Sequence, residues 1–181
     1  MKTLIVWLRG VNVGGKNRLP MKAWREQLEA LGARDVRTYI QSGNAVFRSA
    51  KGSVKSWQDR IAAEIESQQG FRPQVLILDS CQLARVVAEN PYPQLTDQPK
   101  ALHVFFWDRA SSAPRLDEMR RLKSESESFE LGTHALYMAA PEGIGRSRLA
   151  AAVERLLGVP VSARNWRTVM ALQAMAEELA A

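Results

Sequence analysis

Cysteine is almost missing from this sequence: Cys81 stands alone among 181 residues. Disulfides and multi-cysteine metal sites within one chain are therefore excluded. Histidine is nearly as scarce, and neither His103 nor His134 has a metal-ligand companion at suitable spacing, so no metal and no cofactor are expected. No apolar run approaches the ~20 residues of a membrane helix, and the N-terminus carries no signal-peptide pattern. A cytoplasmic protein with no membrane partner is the expectation, with its oligomeric state open. Acid is missing early: Lys2, Arg9, Lys16, Arg18, Lys22 and Arg25 all precede Glu26.

What is present is enough apolar residue for a core, 46% of the chain, and a net charge of +6. The excess lies wholly in the first half. Met1 to Asp79 holds 13 Lys and Arg against 7 Asp and Glu, while the remainder balances. A positive field focused on one segment favours an anionic partner, whether a phosphorylated small molecule or a nucleic acid.

The pattern along the chain predicts an α+β protein. "KTLIVWLR" is a strand apolar on both alternating faces, so both must be covered. "PMKAWREQLEALG" is a helix with Trp24, Leu28 and Leu31 in one stripe and Gly32 at a left-handed cap. "DVRTYI" and "NAVFRS" form a hairpin across "QSG". "SVKSWQDRIAAEIESQQG" is a second helix, with Ser53 as N-cap and Gly70 past its end. "QVLILD" completes a β-α-β-β-α-β, ferredoxin-like order over residues 1–79. A helix, "SCQLARVVAE", and a proline-rich connector occupy residues 80–100.

The order then repeats over residues 101–181. "ALHVFFW" is a strand, and "APRLDEMRRLK" is a short helix with Pro114 in its first turn. "SFELG" and "HALYMAA" make a hairpin. "SRLAAAVERLLG" is a helix capped at Gly158, and "VPVSA" is the closing strand. "RNWRTVMALQAMAEELA" is an added C-terminal helix. The fold expected is two ferredoxin-like units in tandem, each with an antiparallel sheet.

"GVNVGGKN" nearly spells the Walker phosphate loop, and "VLILD" imitates its aspartate strand. Asn17 replaces the hydroxyl that would hold magnesium, and Pro20 delays the helix that should follow at once. In the predicted topology the fourth strand runs antiparallel to the first, leaving Asp79 roughly 17–20 Å from Gly10. The nucleotide-hydrolase reading therefore fails. The same topology brings "RGVNVGGKNR" beside "QSGN", converging Arg9, Asn12, Gly14, Gly15, Lys16, Asn17, Gln41, Ser42 and Asn44. Glycine backbone donors with basic and amide side chains suit an anion or phosphate. The competing reading is two self-capped turns. In the second half, "PEGIGRS" and "RNW" share a sheet end. Arg146, Arg148, Arg164, Asn165 and Trp166 form a second candidate patch there, as an anion site or as a structural tie for the last helix.

Together, "LRGVNVGGKNRLPM", "VRTYIQSGNAVF", "LHVFFW", "PEGIGRSRL" and "RNWRTV" resemble the markers of the family catalogued as domain of unknown function 1697. The resemblance spans nearly the whole chain and implies a duplicated ferredoxin-like fold, with no established activity or catalytic residue. Other chemistry is not indicated. His103 alternates with Phe105 and Trp107 as a strand-face residue, Cys81 has no base partner, and "ESESFE" is a polar edge. The alternative function is a nucleic-acid-binding module, stacking bases on Trp7 and Phe47 of the first and third strands.

Overall fold

The computed structural model describes residues 1–109 and 111–180. Its first strand, β1 (Lys2–Arg9), is followed by α1 (Met21–Ala30), β2 (Arg34–Tyr39), β3 (Asn44–Ser49), α2 (Val54–Gln69) and β4 (Gln74–Asp79). After α3 (Ser80–Ala88) and a 3-10 turn at Pro93–Leu95 come β5 (Leu102–Phe106), α4 (Leu116–Leu122), β6 (Ser128–Leu131) and β7 (Ala135–Ala139). The chain continues with α5 (Arg148–Leu157), β8 (Ser162–Asn165) and α6 (Trp166–Ala180). Two four-stranded antiparallel sheets result, ordered β2-β3-β1-β4 and β6-β7-β5-β8. The β-α-β-β-α-β order thus occurs twice, as the sequence pattern requires.

Residues Met1–Ala84, with those from Ala171 onward, make one compact unit, and Arg85–Met170 make the other. In the first, Leu4, Val6 and Leu8 project from β1 into a core with Phe47, Ile77, Trp24, Leu28, Trp57, Ile61 and Ile65. Burying one such Leu or Ile side chain stabilises by about 1.5–3 kcal/mol. Alternation sends Ile5 and Trp7 to the opposite face, and both are buried as well, which is why β1 reads apolar in both registers. Trp57 tilts against Phe47 at 4.7 Å and donates its indole N–H to Ser49 Oγ at 2.9 Å, satisfying its polar atom inside the core. Ser53 accepts from the Ser56 amide, and Gly70 takes the left-handed cap.

The second unit builds its core from Phe105, Leu136 and Met138 of the sheet against Met119 of α4 and Leu149, Val153 and Leu156 of α5. Two elements depart from expectation. The closing strand is Ser162–Asn165, not "VPVSA": Val159 and Val161 are buried ahead of it as an irregular segment. Pro114 lies two residues before α4, outside its first turn. Among the described residues, no helix is long and apolar enough to cross a membrane. β4 pairs antiparallel with β1 so that Asp79 faces Leu4 and Gln74 faces Arg9, placing Asp79 at the sheet end remote from Gly10. The Walker spelling is a coincidence of composition.

Candidate anion-binding sites

The loop after β1 and the first hairpin turn do meet. Trp7 pairs with Asn44 across the sheet, and the Leu8 amide donates to Gly43 O at 3.1 Å. One side chain then ties three segments. Asn12 Nδ2 donates to Gln41 O at 2.8 Å and to Leu19 O at 2.9 Å, while Asn12 Oδ1 accepts from the Leu19 amide at 2.8 Å. Asn17 Nδ2 donates to Gly10 O at 2.9 Å. Asn44 is fully buried and donates to Tyr39 O at 3.1 Å and Ser42 Oγ at 2.8 Å. These three amides hold backbone in place, as the self-capped-turn reading supposed. Arg9 Nη1 reaches Gln74 Oε1 at 3.1 Å on the neighbouring strand.

Between Asn12 and Asn17 the chain forms a miniature hairpin. The Lys16 amide donates to Val13 O, the Asn12 amide to Asn17 O, and Gly14 and Gly15 turn with φ of 57° and 74°. Two successive positive φ values define a type I′ turn, which glycine adopts without strain. Asn12 and Asn17 flank it at φ 54° and 51°, a left-handed conformation that asparagine tolerates best among non-glycine residues.

Because Asn12 grips Leu19, the hairpin is rooted at the start of α1. That helix end is open: Pro20 makes no side-chain cap and the first turn holds no acid. An uncapped helix N-terminus presents amide donors and a partial positive charge. Gly14, Gly15, Lys16, Arg18 and Gln41 are exposed. Among the described residues, neither Lys16 nor Arg18 makes an ion pair. Lys22 meets Glu26 at 3.8 Å with both largely in solvent, a contact of little energetic weight.

The second patch divides. Arg146 and Arg148 line a cleft with Arg121 and Lys123. Arg164 pairs with Val104, on the sheet face opposite the one that carries Phe105 to the helices. There it donates to Ser162 Oγ at 3.0 Å and Ala163 O at 2.8 Å. Burial pulls its guanidinium down to about 10. Asn165 Oδ1 accepts from the Thr168 amide at 3.0 Å, capping α6, and Trp166 lines a separate hollow with Arg167 and Met170.

Trp7 and Phe47 are both fully buried, Phe47 within the first unit's core. Neither offers a stacking platform for a base. Among the described residues there is no group of three or more His, Cys, Asp or Glu placed to hold a metal. Cys81 is exposed, and burial lowers the pKa of His103.

A family model described as "Protein of unknown function (DUF1697)" matches residues 1–137. Among solved structures, the chain is similar to a conserved bacterial protein, SP0830, from Streptococcus pneumoniae. The two share 22% identity and a TM-score of 0.69 over 97% of this chain and 98% of that one, a likeness of fold. No curated protein gives a significant match.

Proposed function

The chain belongs to the DUF1697 family, whose description assigns no function, and from that premise we propose that it binds a small phosphorylated or otherwise anionic ligand at the basic end of its first sheet. The observation that carries the reading is the open N-terminus of α1. In α2 and α5 the corresponding end is filled by Ser53 and Ser147. In α1 no side chain fills it, and the exposed Lys16 and Arg18 stand on the loop rooted there. An anion would supply the missing cap and neutralise the cations together. Asn12, Asn17 and Asn44 act as positioning residues in this reading, and Lys16, Arg18 and the helix amides make the contact. With Trp7 and Phe47 buried, no observation favours base stacking over a small ligand.

Thermal unfolding against inorganic phosphate, sugar phosphates and nucleotides at matched ionic strength tests the proposal. A ligand at about 100 times its Kd should add about 2.7 kcal/mol, a Tm rise of roughly 5–10 °C for a chain this size. Lys16→Ala combined with Arg18→Ala should remove most of that rise. If no anion exceeds the ordinary salt effect, or the double variant responds like wild type, the reading is wrong. Salt-steep retention of oligonucleotides, lost in the same variant, would replace the small ligand with nucleic acid.

A further inference from the structure

We infer that the second unit carries a separate binding cleft for a phosphorylated, hydroxyl-bearing small molecule, such as a sugar phosphate. The cleft measures about 560 Å³ and opens between the Arg121–Glu127 stretch, which ends α4 and follows it, and the loop of residues 140–148 that leads into α5. That volume falls within the range of small-molecule sites, about 300–1,000 Å³.

Its charge is what singles it out. Nearby cations are paired: Arg120 with Asp117 at 2.7 Å, and Arg115 and Arg155 with Glu118 at 3.2 and 3.8 Å. Inside the cleft, Arg146 and Arg148 make neither an ion pair nor a side-chain hydrogen bond among the described residues. Arg121 Nε reaches only Asp117 O, at 3.3 Å, and Lys123 Nζ reaches Glu127 O at 3.1 Å. Four cations thus share one hollow, none of them ion-paired among the described residues, against two carboxylates in the same lining. Guanidinium forks match the oxygens of a phosphate in both charge and spacing. The α5 amides are not the source of recognition, since Ser147 Oγ already accepts from the Ala150 amide at 3.0 Å.

Two carboxylates in the lining narrow the ligand. Glu127 is buried and accepts from the Ser124 amide at 2.9 Å, so it fixes the loop. Glu142 is exposed in the lining. It repels a bare polyanion but accepts from a hydroxyl. A phosphomonoester with a hydroxylated body satisfies both signs of charge at once.

Titration with ribose 5-phosphate, followed by amide NMR, separates this cleft from the first glycine loop. Gly143 and Gly145 line the cleft, whereas Gly14 and Gly15 report on the loop. Saturable shifts are expected at Gly143 and Gly145, with unphosphorylated ribose giving none. Arg146→Ala with Arg148→Ala should weaken this binding about tenfold or more. Both side chains are exposed and unbonded, so the fold should survive. Glu142→Gln should reduce the preference for ribose 5-phosphate over inorganic phosphate. Lys16→Ala with Arg18→Ala should leave the Gly143 and Gly145 response intact. Absence of saturable shifts there, equal binding by ribose, or an unchanged affinity in the double arginine variant would overturn the inference. Absence of shifts at Gly14 and Gly15 alone in the unsubstituted protein would count against the first loop and leave this cleft standing.

Discussion

Replacing Gly43 with alanine should unfold the first unit far more readily than the same change at Gly14, although both residues have positive φ. At Gly43, with φ +72°, a Cβ would lie 2.7 Å from Leu8 Cβ and 2.8 Å from Val11 Cγ2. Leu8 and Val11 are buried in the core and cannot swing aside. Leu8 also receives no slack from its backbone, because its amide is bonded to Gly43 O. Left-handed backbone costs about 1–2 kcal/mol for a residue with a Cβ, and overpacking a core costs about 1–3 kcal/mol more. Gly43→Ala should therefore lose about 2–5 kcal/mol, or roughly 4–20 °C in Tm. At Gly14, with φ +57°, an added methyl would meet nothing within 4 Å, so Gly14→Ala should lose only about 1–2 kcal/mol. Thermal and urea unfolding followed by tryptophan fluorescence would read the difference, since Trp7, Trp24 and Trp57 all lie in the first unit. Equal losses in the two variants would refute the steric argument. A loss of ligand response without loss of stability in Gly43→Ala would assign that glycine to binding instead.

Two further outcomes follow from the same contacts. Asn12→Ala removes three hydrogen bonds that join Gln41 and Leu19 to the loop, so urea unfolding should show a loss of about 2–4 kcal/mol; a loss under about 1 kcal/mol would show that the tie is dispensable. Burial holds the His103 imidazole below its usual value, so the unfolded chain takes up a proton first as pH falls. Stability from this group should be fully present above about pH 6.5 and decline below it. His103→Gln should flatten the decline by at most about 1.4 kcal/mol per pH unit, and an unchanged slope between about pH 7.5 and pH 5 would disprove the assignment.

Local signals carried most of the fold. Ser53 and Ser147 cap their helices, and Gly70 and Gly158 end them, because each acts on backbone within four residues. The sheet order followed from the alternation of helix and hairpin, and it was enough to dismiss the Walker spelling. β8 was displaced because "SARN" lacks the apolar alternation of a strand, whereas the preceding valines fill a core without one. The topology brings the loop after β1 beside the first hairpin turn, but the employment of the side chains there is hidden in the sequence. Whether Asn12 faces a ligand or grips Leu19 depends on a left-handed φ that composition does not specify. Arg146 and Arg164 share an end of the second sheet, yet strand alternation turns Arg164 to the other face. Arg121 and Lys123 join Arg146 across a separation of more than twenty positions, with no local signature.

The first unit is discontinuous: its last portion is drawn from α6, where Glu178 forms an ion pair with Arg37 of β2. On the ribosome, which delivers the chain at about 5–20 residues per second, the α6 portion of the first unit follows residues 1–84 only after all of Arg85–Met170 is made. The second unit, continuous in sequence, has every residue it needs before the first does. The contacts that α6 adds to the first unit therefore become available only after the whole of the second unit has been made.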